Sequence, residues 1–120
     1  MHSLQSLLDT HDGHGLAMLL RQREITAGEL LEAVIERLDT VEPSLNAVSE
    51  RLYDQARATA RAPLDVDAPF AGVPTLVKDL FTPLAGARMT NGSLALGEAR
   101  PDFDCELVTR LREAGCLFVG

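Results

Sequence analysis

The sequence predicts an α/β fold in which N-terminal helices precede the first strands of a mixed sheet covered by helices. Three observations carry that expectation. An apolar stripe at three- and four-residue spacing runs from Leu30 to Val41 behind a helix-start signal. After a proline-containing connector comes TLVKDLF at 75–81, an apolar and β-branched run suited to a strand covered on both faces. One helix pattern later comes a second such run, CLFVG at 116–120. Strand, loop, helix, strand is the rhythm of parallel pairing, because parallel neighbours need a crossover between them.

The elements follow in order. From Gly15 onward, Leu16, Leu19 and Leu20 share one face of a short helix for which Asp12 is a plausible cap. Thr26 precedes Glu29 by three residues, so hydroxyl and carboxylate can each satisfy a free amide of the next helix's first turn. Leu30, Leu31, Val34, Ile35, Leu38 and Val41 form its apolar side, with Glu29, Glu32, Glu36, Arg37 and Asp39 largely opposite. Pro43 is expected to stop this helix, since it has no amide hydrogen and disfavours helical geometry in the residue before it. LNAVSERL at 45–52 reads as a short extended piece, and YDQARATARA at 53–62 as a helix that lasts until Pro63.

PLDVDAP at 63–69 reads as a connecting loop. It divides one domain into a mainly helical part, 1–62, and the start of an α/β core, 63–120. GARMTNGS at 86–93 has the glycine and asparagine of a turning loop. DFDCELVTRLREAG at 102–115 is a helix pattern, with Leu107, Val108 and Leu111 on one side and Gly115 as the stop. A chain ending on an apolar strand with no helix to cover it reads as truncated, and its open edge and one-sided helix favour self-association.

Composition narrows the function. A net charge of −7 with dispersed arginines argues against nucleic acid and anionic lipid as partners. The start lacks a basic leader followed by an apolar stretch, and no run approaches the ~18 apolar residues of a membrane span, so a cytoplasmic location is expected. Cys105 and Cys116 match neither a Cys-x-x-Cys pair nor a zinc half-site, and are expected as reduced, packed thiols. His11 and His14 stand three apart around Asp12, but two glycines in the same five residues weaken a helical metal site. No metal or cofactor is expected.

Lys78 stands out: it is the only lysine beside ten arginines, and it lies in an apolar run. Arginine stays protonated at any workable pH, whereas a lysine can lose its proton when burial makes the charge costly. Lowering its pKa from ~10.4 to ~7–8 would make a usable base. Strand alternation sets Leu76, Lys78 and Leu80 on one face and Thr75, Val77 and Asp79 on the other, so Asp79 is an unsuitable ion-pair partner for its neighbour. The run implies that Lys78 is buried. The competing reading is a lysine at a strand end that snorkels to water.

FAGVPTLVKDL, AGARMTNGS and DCELVTRLREAGCLFVG together resemble the amidase signature family of serine amide hydrolases. ITAGELLEAVIERLDTVEPSLNAV resembles that family's N-terminal helix and following turn, so the likeness runs from about Asp12 to Gly120. The resemblance implies the amidase signature fold and places Lys78 as the catalytic lysine of a triad with two serines, one at a cis peptide bond. The Gly/Ser-rich segment that would supply nucleophile and oxyanion hole has no counterpart within these 120 residues. Ser93 matches the Gly-Ser of the loop after the lysine and is expected to shape that loop rather than attack substrate. Arg88 and Met89 depart from the family's commoner proline and threonine, and LFTPLA is about one residue longer than usual.

The implied chemistry is acyl transfer. Neutral Lys78 takes a proton, through the cis serine, from the nucleophilic serine, and the resulting acyl-enzyme is then hydrolysed. The expected partner is a small-molecule amide, and a homodimeric parent is compatible with the resemblance. Two alternatives stay open: the amidase subunit of a tRNA-dependent amidotransferase, and a non-catalytic α/β interaction module in which Lys78 is structural.

Overall fold

The computed structural model describes residues 3–120. Its elements are α1 (Leu4–Thr10), α2 (Gly13–Arg21), α3 (Ala27–Leu45), α4 (Tyr53–Ala60), β1 (Pro74–Thr75), a 3-10 turn (Leu94–Leu96), α5 (Glu106–Glu113) and β2 (Leu117–Phe118). The two strands pair in parallel, Pro74 opposite Leu117 and Thr75 opposite Phe118. Backbone bonds carry the pairing further: Leu117 N donates to Val73 O at 2.9 Å, Val119 N to Thr75 O and Val77 N to Gly120 O, both at 3.0 Å. The result is an α/β arrangement rich in helix.

Local signals set the helices. Asp12 caps α2 by accepting from the Gly15 amide at 2.8 Å. At α3 the capping box is complete: Thr26 Oγ1 accepts from Glu29 N at 3.2 Å, and the Glu29 carboxylate accepts from Thr26 N at 2.8 Å. Neighbouring residues on α3 then serve different cores. Leu30 packs with Leu16, Leu20 and Val73, whereas Leu31 packs with Ile35, Ala56 and Val119. Both leucines are fully buried, each worth ~1.5–3 kcal/mol of apolar transfer. A third cluster joins Leu52, Leu84, Ala87, Val108 and Phe118.

Several expectations need correction. Pro43 does not stop α3, which continues to Leu45 and ends at Asn46 in the left-handed conformation, φ 48° and ψ 48°. The proline lies in the last turn on the exposed side, where water can reach the Asp39 carbonyl that its missing amide would have bonded. The buried Glu42 closes the helix instead, accepting from the amides of Ala47 at 2.8 Å and Val48 at 3.1 Å. Residues 45–52 form no strand; the chain turns at Asn46 and reaches β2, where Leu52 N donates to Val119 O at 3.0 Å.

Of TLVKDLF only Thr75 lies in the regular strand, although Val77 N still donates to Gly120 O, and Phe81 turns the chain at φ 52°. Leu107 is exposed rather than facing the core with Val108 and Leu111. Unforeseen by periodicity, α1 is held to α3 by polar contacts: Gln5 Nε2 donates to Ala33 O at 2.9 Å, and Arg37 reaches Gln5 O at 3.0 Å and Asp9 at 2.9 Å.

Gly115 brings the strands together. It follows α5 at φ +94°, its carbonyl accepts from Gly72 N at 2.9 Å, and a Cβ placed on it would stand 2.6 Å from Ala71 Cα. Strain and backbone clash therefore coincide. Gly115→Ala is expected to destabilise the chain by more than ~2 kcal/mol, measured by urea unfolding. Gly28→Ala, in the first turn of α3 with nothing within 4 Å of the new methyl, should instead be neutral or stabilising.

Candidate active site

Lys78 follows the last ladder bond, that of Val77 to Gly120. The predicted alternation holds: Thr75, Val77 and Asp79 are half-buried, while Leu76, Lys78 and Leu80 are exposed. The face, however, is the opposite of the one expected. Val77 packs on the cluster of Leu52, Leu84 and Phe118, which leaves the lysine side facing water. Among the described residues Lys78 makes no side-chain hydrogen bond or ion pair. The expected burial of Lys78 is thus corrected for this chain. Around it lie exposed apolar side chains, Leu76, Leu80 and Phe81.

The hollow beside Lys78 is walled by Ser49, Glu50, Asp79, Thr82 and Arg88. Asp79 turns away from its neighbour, as alternation requires, and accepts from the Thr90 amide at 2.6 Å, the Thr90 hydroxyl and the Asn91 amide at 3.4 Å. Asn91 returns the contact, its Oδ1 accepting from Phe81 N at 2.9 Å. Asn91 and Gly92 both have positive φ, 52° and 74°, and Ser93 N donates to Thr90 O at 2.9 Å, which makes a tight turn of the Asn-Gly type. Ser93 Oγ accepts from Ala95 N at 3.3 Å and caps the 3-10 turn.

Glu50 ties three segments. It accepts from Arg88 N at 2.6 Å and pairs with Arg100 at 2.9 Å. Arg88 itself is turned toward the backbone, donating to Ser49 O at 2.6 Å. Asp104 accepts from Ala85 N at 2.8 Å and from Arg112 Nε at 2.7 Å, and the Arg112 guanidinium lies 4.9 Å above the Phe118 ring. The loop between the strands is therefore pinned to β2 through α5.

These contacts shift the carboxyls. Burial alone would push Asp79 up, but the Thr90 hydroxyl and amide, the Asn91 amide and Ser49 outweigh it and hold the acid below its ordinary value. Burial would likewise push Glu50 up, but the Arg88 amide and then the Arg100 guanidinium outweigh it and hold the acid below its ordinary value. Arg112 and then the Ala85 amide lower Asp104. Burial raises the Cys116 thiol, which keeps it protonated, and both cysteines are free. His11 Nδ1 meets Thr10 Oγ1 at 2.9 Å and His14 is exposed; among the described residues no three metal-binding side chains converge.

Sequence reasoning singled out Lys78 and the Asn-Gly loop but not the bonds from Asp79 that join them. Alternation shows that Asp79 points away from Lys78; only the folded loop supplies its partner. No described helix is long and apolar enough to cross a membrane.

The fold is that of the amidase class. The amidase family model matches residues 29–120, and the chain belongs to that family. A 6-aminohexanoate-cyclic-dimer hydrolase of Paenarthrobacter ureafaciens is 38% identical over 111 residues, covering 91% of this chain and 22% of the relative. A glutamyl-tRNA(Gln) amidotransferase subunit of Syntrophobacter fumaroxidans is 35% identical over 112 residues, covering 89% and 23%. A solved structure of 6-aminohexanoate cyclic dimer hydrolase superposes with a TM-score of 0.84 at 36% identity, over 100% of this chain and 24% of that one. The chain thus spans less than a quarter of the length of these relatives.

The lowered carboxyls predict the acid limb of stability. Each group stabilises the fold fully above its unfolded pKa, near 4, and loses that contribution as pH falls through the lower folded value. The thermal midpoint, followed by circular dichroism, should fall steeply below about pH 4, and Asp104→Asn should flatten that fall.

Proposed function

We propose that this chain is the lysine-bearing portion of an enzyme that hydrolyses a carboxylic amide through a serine acyl-enzyme, with Lys78 as the base. The observation that carries the reading is Lys78 itself: the one lysine of the chain, placed just past the parallel pairing at the position where the family resemblance puts its catalytic amine. An amine there can take a proton only when neutral, so the complete enzyme must surround it with apolar or cationic groups that lower its pKa. The exposed Leu76 and Leu80 flanking Lys78 are suited to such a cover.

In the complete enzyme the two serines come from outside residues 1–120. The nucleophile attacks the amide carbonyl, its proton passing by way of the second serine to Lys78. Backbone amides receive the oxyanion, the returned proton releases the amine, and water hydrolyses the acyl-enzyme. No step of this scheme calls for a metal.

The likeness to a glutamyl-tRNA(Gln) amidotransferase favours a second reading, in which the same hydrolysis serves a tRNA-dependent transfer with partner subunits and ATP. Hydrolysis by the polypeptide at the length of its relatives, purified without partner subunits and independent of ATP, separates the two. A non-catalytic module would be indifferent to any change at Lys78.

Lys78→Arg in the protein extended to the length of its relatives keeps the charge but removes the base. It should lower kcat/KM for amide hydrolysis by ~10²- to 10⁴-fold with the thermal midpoint unchanged. An undiminished rate would refute the assignment.

A further inference from the structure

We infer that Asp79, Thr90 and Asn91 form a reciprocal clasp that positions Lys78, making Asp79 a positioning residue for the amine rather than its ion-pair partner. The inference rests on the reading of Lys78 as the base. It begins from what fixes the lysine backbone. On the N-terminal side the parallel ladder holds Val77, whose amide donates to Gly120 O. On the C-terminal side, among the described residues, the hydrogen bonds at Asp79 and Phe81 run through side chains.

Those side chains work in both directions. Asp79 accepts two amides and a hydroxyl from the turn at 90–91, and Asn91 of that turn accepts the amide of Phe81. These bonds tie the two turns in register, beside those that hold Arg88 N to Glu50 and Met89 N to Ala99 O, with Lys78 immediately before the first. Phe81 at φ 52° and Asn91 at φ 52° both occupy the left-handed region, so the bonds also hold backbone that would relax without them. An ionised carboxylate makes these bonds stronger than an amide could. A displacement of about 1 Å in a catalytic group can lower turnover by ~10²-fold.

The test uses the protein at the length of its relatives and an alkyl fluorophosphonate, which phosphonylates an activated serine without need of the natural substrate. Labelling that is absent in the wild type, or undiminished in Lys78→Ala, removes the reading of function and the inference with it. With both conditions met, Asp79→Ala should slow the maximal labelling rate by ~10²-fold while the half-saturating reagent concentration changes by less than about threefold. Asp79→Asn, which keeps one acceptor, should fall between Asp79→Ala and the wild type.

Thr90→Val removes the hydroxyl but leaves the amide, and should slow labelling; Thr90→Ser should restore it. This pair decides the matter if Asp79→Ala does not fold. In a Lys78→Ala background Asp79→Ala should add no further loss, because it acts through the amine. Wild-type labelling by Asp79→Ala, equal rates for Thr90→Val and Thr90→Ser, or a full Asp79→Ala loss in the Lys78→Ala background would each overturn the clasp while leaving Lys78 as the base.

Discussion

Everything in this molecule is organised by one short parallel pairing. Parallel neighbours cannot be joined by a hairpin, so the chain between them must leave the sheet, cross over and return. Here it leaves as an irregular loop after Thr75 and returns as α5. Successive residues of the returning segment then face opposite ways, Phe118 toward Leu84 and Val108, Val119 toward Leu31 and Ala56. Two clusters that share no side chain are thereby joined through adjacent peptide units. The helical part and the strand part are not independent bodies, because Val73 completes the cluster of α2 and α3.

The same pairing explains why the interesting side chain sits where it does. A ladder fixes the backbone it bonds, and here it bonds Val77, whose amide donates to Gly120 O. The first residue beyond it is Lys78. Position along the strand comes from the sheet, while what lies beyond is governed by carboxylate and amide side chains of the loop. Glu50 and Asp104 perform the same kind of service farther along, one through Arg88 and Arg100, the other through Ala85 and Arg112.

What could be read from the sequence was local. The box of Thr26 and Glu29, the stripe behind it, the Asn-Gly turn and the stop at Gly115 depend on residues within a few positions of one another, and all are present. What could not be read required knowing a distant neighbour. Helix α1 is held by Arg37 from another helix, and Glu42 survives burial only because the chain beyond α3 doubles back to present two amides. Strand alternation correctly sorted Lys78 from Asp79 but was silent about which side was covered, since a period of two has no sign. Apolarity pointed to the side carrying Leu76 and Leu80, which is exposed within these residues.

A solitary lysine on an accessible edge has a chemical corollary. Besides the N-terminal α-amine, acylating or reductive-alkylating reagents meet only one amine along the chain, and because the α-amine has the lower pKa, blocking it first near neutral pH leaves position 78 as the place tagged beside the sheet. An isotope or fluorophore delivered that way would report the surroundings of position 78 directly, without introducing any substitution.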